Sequence, residues 1–447
     1  MQTFDAVVIG GGPAGVQAAV SARHAYPDKT VALIRREKIP LIPCGIPYTL
    51  NTLPSVEDDR LPDTPLTDCN VEIIIGEVIN RNGKKLILKD ETQIGFDKLV
   101  IALGSIPVIP DIPGADIEGV YTVKKDFEYL KELREIAHKA ERIVIVGGGY
   151  IGVEFADELL KMGKTVSIIE MLPNLFGSTM DTEFSEAIEM NLKQRNCDII
   201  TNNRIQSVIG NGKVSGVHLS NGTQLSADMV FMSIGYRPDT SLAAKLGVKV
   251  DDKYGIIVDE YMRCSDPDVF AAGDCAITRN CFDGKNTNIM LASAAMTQGR
   301  IAGANLFKIK LVKGFPGTLG TFSTKIGDIA VGVTGMTEYQ AKEMKVDYII
   351  GRSEAPDRHP GKLPGASRIT VKLVYAKQSH NLLGGQVMGG DSVGELTNLL
   401  SVMIQKKMTD MEIDLVQIGT HPLLTSSPIA YPVINATVNA IMQWINK

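Results

Sequence analysis

A single cysteine lies in a constrained loop near the start of the chain, in the stretch PLIPCGIPYTL at residues 40–50. Prolines stand on both sides of Cys44, and Gly45 follows it directly. Pro47 suits the first turn of a short helix beginning near IPYTL. The dipole of a helix N-terminus lowers the pKa of a nearby thiol. Cys44 is therefore predicted to act as a reactive thiolate.

The other five cysteines lack this setting, and their spacing fits neither a disulfide framework nor a metal site. They are predicted to be buried, inert thiols, at positions 69, 197, 264, 275 and 281. No metal is expected. The N-terminus enters a strand-like run without the features of a signal peptide, so a reducing cytoplasm is the expected location.

Two glycine-rich loops offer a second kind of chemistry. Each lies between a strand-like run and a helix-like run, the first after FDAVVI and the second after RIVIV. In this setting GxGxxG allows a tight turn, and the helix N-terminus can bind a pyrophosphate. The glycines of the two motifs are Gly10, Gly12, Gly15, Gly147, Gly149 and Gly152.

An acidic residue about 20 positions after such glycines binds the adenosine ribose. In the second motif this residue is Glu170, whose charge would repel a 2′-phosphate, so NADH is favoured over NADPH. The first motif has Arg35 there instead, with Glu37 two residues later. Three alternatives stay open. Glu37 binds the ribose in place of the missing acid, Arg35 and Arg36 contact the cofactor's phosphates or adenine, or these charged side chains are simply solvated.

Two dinucleotides in one chain are commonly a nicotinamide and a flavin that exchange electrons. Asp274, in FAAGDCA, supports a flavin because a carboxylate at a strand end can hold a ribityl hydroxyl, although it could also cap a helix. Each glycine loop also has a distant partner strand ending in a glycine turn, KLVIALGSIP and DMVFMSIGYRP. This repetition indicates a duplicated domain plan.

The order of these segments predicts an α/β fold with two Rossmann-like dinucleotide-binding domains, for FAD and NADH, and a C-terminal α+β domain. From about residue 315 the pattern changes to alternating strand-like runs followed by a helix. The predicted segments are the first part of the FAD domain at 1–114, the NADH domain at 115–245, the second part of the FAD domain at 246–312, and the C-terminal domain at 313–447.

Composition excludes two classes of partner. The 447 residues include 46 basic and 51 acidic side chains, for a net charge of −5, which leaves no basic surface for nucleic acid. No apolar run approaches the about 20 residues of a membrane span. A small molecule is therefore the expected partner.

Together the motifs resemble those of the pyridine nucleotide-disulfide reductase flavoproteins. The matching stretches run through the whole chain and include VVIGGGPAG, LVIALGSIP, VIVGGGYIGVE, SIGYRP and VFAAGDCA. The CGIPY loop is similar to the single-cysteine branch, which includes coenzyme A disulfide reductases, NADH oxidases and NADH peroxidases. Thr49 stands where the C-x-x-x-x-C of the glutathione-reductase branch has its second cysteine. The resemblance implies a homodimer formed through the C-terminal domain.

The resemblance also implies roles for individual residues. Asp274 and the first glycine loop would hold FAD, and Glu170 and the second loop would hold NADH. Tyr150 would cover the flavin, and Glu154 would lie near the nicotinamide unless it is an ordinary exposed glutamate. The predicted cofactor-binding residues are Gly10, Gly12, Pro13, Ala14, Gly15, Arg35, Arg36, Glu37, Ala102, Gly104, Gly147, Gly149, Tyr150, Ile151, Gly152, Glu154, Glu170, Gly235, Gly273 and Asp274.

The implied reaction passes electrons from NADH to FAD, then to Cys44, and then to a low-molecular-weight disulfide or persulfide, with coenzyme A disulfide as the leading candidate. The family's peroxidases and water-forming oxidases carry a histidine where this chain has Pro13, which disfavours both reactions. His421 is the predicted proton donor, because imidazole titrates near neutral pH, and Tyr431 is a less favoured alternative.

Two other functions stay open at this stage. One is an NADH oxidase that reduces oxygen. The other is a redox-sensing or electron-carrier flavoprotein, in which NADH changes the conformation or feeds a protein acceptor. Turnover with a disulfide, with oxygen alone, or only with a protein partner separates the three.

Overall fold

The structure is a computed structural model, and it describes residues 1–445 of the chain. The chain folds into two compact units, each built from several segments: 1–111, 121–140 and 233–318 form the first, and 112–120, 141–232 and 319–447 form the second. The second unit is described through residue 445. Among the described residues, no helix is long and apolar enough to cross a membrane.

The strands are β1 (Gln2–Ile9), β2 (Val31–Arg35), β3 (Glu72–Ile75), β4 (Val78–Asn82), β5 (Lys85–Leu88), β6 (Gln93–Ile101), β7 (Ser105–Pro107), β8 (Val120–Thr122), β9 (Arg142–Val146), β10 (Thr165–Ile169), β11 (Asp198–Ile200), β12 (Ile205–Gly210), β13 (Val214–Leu219), β14 (Gln224–Ser226), β15 (Met229–Met232), β16 (Tyr236–Pro238), β17 (Val250–Asp251), β18 (Gly255–Ile256), β19 (Val269–Ala271), β20 (Thr278–Arg279), β21 (Asn286–Thr287), β22 (Phe322–Ile326), β23 (Ile329–Gly335), β24 (Tyr348–Pro356), β25 (Arg368–Ala376) and β26 (Leu382–Gly389).

The α-helices are α1 (Pro13–Ala25), α2 (Thr64–Thr67), α3 (Phe127–Lys139), α4 (Tyr150–Lys161), α5 (Thr182–Gln194), α6 (Ala292–Ala304), α7 (Glu338–Glu343), α8 (Val393–Gln405), α9 (Asp410–Asp414) and α10 (Pro432–Ile445). Short 3₁₀ helices span Ile46–Leu50, Val56–Asp59, Gly177–Thr179 and Pro428–Ala430.

The first unit is built on one mixed sheet. Strands β3, β2, β1 and β6 run parallel in that order, and β19 adds a further parallel pairing to the end of β6. Strands β5 and β4 continue the sheet in antiparallel fashion. The apolar runs of β1 and β2 are buried on both faces, as expected for parallel strands covered by helices.

Helices α1 and α6 of the first unit pack closely through small residues. A Cβ atom placed on Gly299 would lie 2.5 Å from the carbonyl oxygen of Ala14, and one on Gly303 would lie 2.1 Å from that of Ala18. Only glycine permits this approach. The small-residue character of the segment at 288–307 therefore has a packing cause, and it fixes the helix that follows the first glycine loop.

The second unit contains two kinds of sheet. Strands β11, β10, β9 and β15 run parallel in that order, and every residue of β15 is buried. Near the chain's end, β22, β23, β26, β25 and β24 form an antiparallel sheet in that order. Helix α10 approaches β24 so closely that a Cβ on Gly351 would lie 2.0 Å from the carbonyl oxygen of Ala436.

These elements confirm the predicted fold class. The predicted division into four segments stays a prediction. Helix α3 lies inside the predicted NADH segment, and the structure includes it in the first compact unit.

A buried lysine joins the antiparallel sheet of the second unit to helices α5 and α7. The Lys372 ammonium lies 2.7 Å from carboxylate oxygens of Asp181 and Glu183 and 2.6 Å from one of Glu338. Burial opposes ionisation of Asp181, but hydrogen bonds from Lys372 and from backbone N–H groups outweigh it, so the pKa of Asp181 lies below its ordinary value. The cation neutralises the buried carboxylate of Asp181 together with the partly exposed carboxylates of Glu183 and Glu338.

Replacing Lys372 with methionine should therefore destabilise the protein strongly at pH 7. The Asp181 carboxylate would stay buried without its cation, and breaking a buried ion pair costs about 3–5 kcal/mol. The matched control is Lys377→Met, because Lys377 forms an exposed pair with Asp347, worth below about 1 kcal/mol. Urea unfolding measures both variants, and equal losses would show that the Lys372 cluster is not a buried charge network.

Candidate active site

The first glycine loop is held by contacts that only glycine allows. Gly10 has φ of +116°, and a Cβ there would lie 2.1 Å from the carbonyl oxygen of Ala102. A Cβ on Gly15 would lie 2.0 Å from the carbonyl oxygen of Gly10. The loop is therefore locked between the ends of β1 and β6, and it turns directly into α1.

The N-terminus of α1 has room for a ligand. Gly12 is the N-cap with an extended backbone, no side chain caps the helix, and Pro13 and Ala14 form its first turn. No heavy atom lies within 4 Å of a Cβ built on Gly12. Backbone N–H groups at a helix start bind phosphate through hydrogen bonds and the helix dipole. The loop thus fits the pyrophosphate of FAD.

Asp274 lies in the same unit with two polar neighbours that the sequence did not reveal. Its carboxylate accepts a hydrogen bond of 2.9 Å from the Ser105 hydroxyl, and the Lys125 ammonium lies 3.8 Å away. Gly273, with φ of +80°, makes the turn before it, and Gly104, with φ of +75°, ends the turn after β6. Asp274 is half-buried and able to accept a further hydrogen bond.

Arg35, which replaces the expected acid of the first unit, is an internal ion-pair partner. Its guanidinium makes bonds of 2.5 and 2.8 Å to both carboxylate oxygens of Asp63, and its Nε donates to the Glu37 carbonyl. These bonds hold the pKa of Asp63 below its ordinary value. Arg36 is exposed and lies 3.8 Å from the Glu37 carboxylate. A direct role for these three in cofactor binding stays a prediction.

The Cys44 loop is fixed by its backbone. Gly45 is the N-cap of the 3₁₀ helix Ile46–Leu50, so the predicted helix is present but short. The Arg134 guanidinium of α3 donates to the carbonyl oxygens of Thr49, Leu53 and Pro54. Cys44 itself is exposed. The chain thus presents this thiol to solvent on a rigid support.

The other cysteines differ from Cys44 in exposure. None of the six forms a disulfide within the described residues. Burial raises the pKa of Cys197 and Cys275 to about 12 and that of Cys281 to about 11, and it also raises the pKa of Cys264. Cys69 is partly exposed, and its sulfur lies 3.4 Å from His24 Nε2.

The second glycine loop repeats the geometry of the first. Gly147 has φ of +105°, and Gly149 is an extended N-cap for α4, with no heavy atom within 4 Å of a Cβ built there. Gly152 is buried in the first turn after Ile151. This loop therefore fits a second pyrophosphate, that of NADH.

Glu170 is oriented toward the second glycine loop. Its carboxylate accepts hydrogen bonds of 2.6 Å from the Gly148 N–H and 2.8 Å from the Leu172 N–H. Both bonds fix an ionised carboxylate beside the loop. A ribose would find acceptors there, whereas a 2′-phosphate would meet a negative charge.

Tyr150 and Glu154 lie on the first turns of α4. The ring centroid of Tyr150 is 5.0 Å from that of Phe322. Glu154 accepts a hydrogen bond of 2.7 Å from the Thr324 hydroxyl. Burial raises the pKa of Glu154 to about 7, a net result in which the Thr324 hydrogen bond opposes the shift and nearby Asp157 adds to it. Glu154 is thus a partly buried acid, not an ordinary surface glutamate.

The remaining predicted residues lie elsewhere in the two units. Gly235, with φ of +111°, leads into β16, which pairs with β7 in the first unit. In the second unit His421 is exposed, and its Nδ1 accepts the Leu423 N–H, so the neutral ring carries its proton on Nε2. Tyr431 is buried, and burial raises its pKa.

Comparison with known proteins identifies the family. Residues 4–299 match the pyridine nucleotide-disulphide oxidoreductase family, and residues 321–429 match the dimerisation domain of the same family. The chain belongs to this family. It is an FAD-dependent oxidoreductase that uses NADH, so the predicted family, enzyme class and cofactors are confirmed.

Individual relatives resemble the chain over nearly its full length. An NADH oxidase of Methanocaldococcus jannaschii is 31% identical over 99% of this chain and 100% of its own. An NAD(P)H coenzyme A polysulfide/persulfide reductase of Pyrococcus horikoshii is 31% identical over 89% of this chain and 90% of its own. The structure of an NAD-dependent persulfide reductase from A. fulgidus has a TM-score of 0.89 at 30% identity, covering 98% of this chain and 83% of that one.

The position of Glu170 predicts the nucleotide preference. NADH should be used in preference to NADPH, because the fixed carboxylate opposes a 2′-phosphate. Glu170→Gln should lower the NADH to NADPH ratio of kcat/KM by about tenfold or more, since like charges in contact cost several kcal/mol. Glu186→Gln is the control, an exposed glutamate of α5. A parent enzyme that prefers NADPH would refute the assignment.

Proposed function

We propose that this protein is an NADH:disulfide oxidoreductase in which Cys44 exchanges electrons with a low-molecular-weight disulfide or persulfide. The observation that carries the proposal is the exposed Cys44 thiol, held on a rigid loop of the unit that also contains the first glycine loop. The named persulfide reductases among its relatives support this substrate class. Coenzyme A disulfide is the leading candidate.

The cofactor sites divide between the two units in this proposal. Asp274 and the N-terminus of α1 would hold FAD, and Glu170 and the N-terminus of α4 would hold NADH. When bound, FAD takes electrons from the nicotinamide two at a time and passes them on. The remaining chemistry belongs to residues of the chain.

Cys44 would act first as a nucleophile. Its thiolate attacks a disulfide R–S–S–R, forms Cys44–S–S–R and releases one RS⁻. Two electrons then break the mixed disulfide, which regenerates the Cys44 thiolate and releases the second RS⁻. Each RS⁻ takes one proton, so one NADH and one proton yield NAD⁺ and two RSH.

His421 is the proposed proton donor for the leaving thiolate. The ring is exposed, and it would donate as the imidazolium, which carries a proton on each nitrogen, so its Nδ1 contact with the Leu423 N–H would have to open first. Buried Tyr431 is less suited because its pKa is raised. In the family's dimer this segment would face the other subunit, so His421 would serve the site across the interface.

A homodimer agrees with the C-terminal part of the chain. Residues 321–429 match the family's dimerisation domain. Large apolar side chains there and in the following segment are more than half exposed: Val402, Met411, Leu415, Leu423, Leu424, Ile429 and Ile445. Burial of such a surface in a second copy removes it from water. We also infer a cytoplasmic location, because the described cysteines form no disulfide.

Oxygen reduction is the second candidate function. The relative from Methanocaldococcus jannaschii is named an NADH oxidase, and it matches the whole length of this chain. Pro13 at the first glycine loop offers no proton donor for such a reaction. A redox-sensing or electron-carrier role is the third alternative, and it requires a protein acceptor.

Cys44→Ser tests the proposal by separating two half-reactions. The variant should still bind FAD and be reduced by NADH, because neither step needs the thiol. Its disulfide turnover should fall by about 10³-fold or more, as expected for the loss of a nucleophile. Anaerobic NADH oxidation with coenzyme A disulfide, glutathione disulfide, cystine and persulfides measures the loss.

Cys69→Ser is the matched control. Cys69 is partly exposed, and burial raises the pKa of each of the four remaining cysteines. It should leave disulfide turnover intact. Undiminished disulfide turnover in Cys44→Ser would refute the proposal. Fast turnover with oxygen alone in the parent would favour the oxidase, and turnover only with a protein acceptor would favour the electron carrier.

A further inference from the structure

An aspartate is buried directly beneath the Cys44 loop. Asp59 is 2% exposed, and a Cβ built on Gly45 would lie only 1.8 Å from its Oδ1. The carboxyl group therefore packs against the α-carbon of Gly45, and any larger residue at position 45 would displace it. This contact supplies a reason for the glycine beside the cysteine.

The backbone prevents Asp59 from moving away. The Ile42 N–H donates to the Asp59 carbonyl at 2.9 Å, and the Leu61 N–H donates to the Pro40 carbonyl at 2.9 Å. Leu41 and Arg60 form an antiparallel bridge between these bonds. The segments before Cys44 and around Asp59 are thus paired as two short strands, which fixes the carboxyl under the loop.

The carboxyl group is not compensated as a buried charge should be. Asp59 Oδ2 is buried without a hydrogen-bond partner. Burial raises the pKa of Asp59 to about 7, with no neighbouring charge or hydrogen bond contributing to the shift. A buried polar atom without a partner costs about 1–3 kcal/mol, so its retention needs an explanation.

The charged side chains of the surrounding elements are engaged elsewhere. Arg35 is paired with Asp63, and the Arg134 guanidinium bonds backbone carbonyls. On the same 3₁₀ turn, Glu57 is exposed and faces Lys131 at 3.4 Å. Asp59 packs against Gly45, and Cys44 is the residue next to Gly45 in the chain.

We propose that Asp59 is a positioning residue that controls the ionisation of Cys44. Residues 44 and 45 have α-carbons about 3.8 Å apart, so a charge packed against Gly45 is close to Cys44. A neutral carboxyl favours the thiolate, and an ionised carboxylate disfavours it. The inference rests on the proposed role of Cys44.

The two groups should therefore titrate as a pair. When Cys44 loses its proton, Asp59 should hold its own proton more tightly, and the reverse should also hold. Such coupling would let the Cys44 thiolate form readily while Asp59 is neutral and would delay the rest of its formation to higher pH once Asp59 is ionised. The buried carboxyl would thus spread the ionisation of Cys44 over two steps.

The test is the rate of Cys44 alkylation by iodoacetamide in the FAD-containing enzyme from pH 5 to 9, followed by mass spectrometry. In the parent, the dependence of the alkylation rate on pH should fit two titration steps and not one. In Asp59→Asn it should follow one titration, with its midpoint lowered by about one pH unit and an unchanged maximal rate. A purely structural effect would instead change the maximal rate.

Glu57→Gln is the control, because it removes the same charge from the same turn at an exposed site. Its profile should match the parent's. An Asp59→Asn profile identical to the parent's would overturn the inference, and so would a parent profile that fits a single titration, which can be measured even if the variant fails to fold.

Failure of the inference on Asp59 can be distinguished from failure of the proposed function. If Cys44→Ser abolishes disulfide turnover and Asp59→Asn leaves the alkylation profile unchanged, only the inference on Asp59 is wrong. If the alkylation profiles differ as expected while Cys44→Ser retains disulfide turnover, the coupling holds and the proposed function is wrong.

Discussion

Both dinucleotide loops depend on one constraint, a glycine with strongly positive φ at the end of a parallel strand. Gly10 and Gly147 have φ of +116° and +105°, a region that other residues rarely adopt. Each turns the chain so that the next helix begins with an uncapped glycine and open space above its N–H groups. The phosphate-binding geometry follows from these turns. The two acids are placed by other strands: Glu170 follows β10, which pairs with β9, and Asp274 follows β19, which pairs with β6.

The loop that carries Cys44 is held by hydrogen bonds to its backbone and not by a glycine turn. Backbone pairing of residues 40–42 with 59–61 holds the Cys44 loop from one side, and Arg134 holds the 3₁₀ helix from the other. Cys44 is therefore exposed on a loop whose backbone is held by these bonds. Burial raises the pKa of four other cysteines, and this difference in environment supports the proposed role of Cys44.

Local sequence patterns predicted the repeated strand–loop–helix units, because glycine spacing and apolar runs are properties of short segments. They also predicted the short helix after Cys44 and the acid beside the second glycine loop. The pairing of Arg35 with Asp63 could not be predicted, because 28 positions separate the two residues and Asp63 belongs to no motif. Ser105 beside Asp274 was missed because 169 positions separate the two residues, and Lys125 is also distant from Asp274 in the sequence. Asp59 was missed because its contact with Gly45 arises from irregular backbone pairing.

The central claim is that Cys44 forms a covalent disulfide with the substrate during turnover. Intact-protein and peptide mass spectrometry test it directly, after the thiol form of the enzyme has been mixed anaerobically with coenzyme A disulfide and no NADH. The account predicts one coenzyme A per subunit, attached to Cys44 and released when NADH is added. No adduct, an adduct on another cysteine, or an adduct that NADH cannot remove would contradict it.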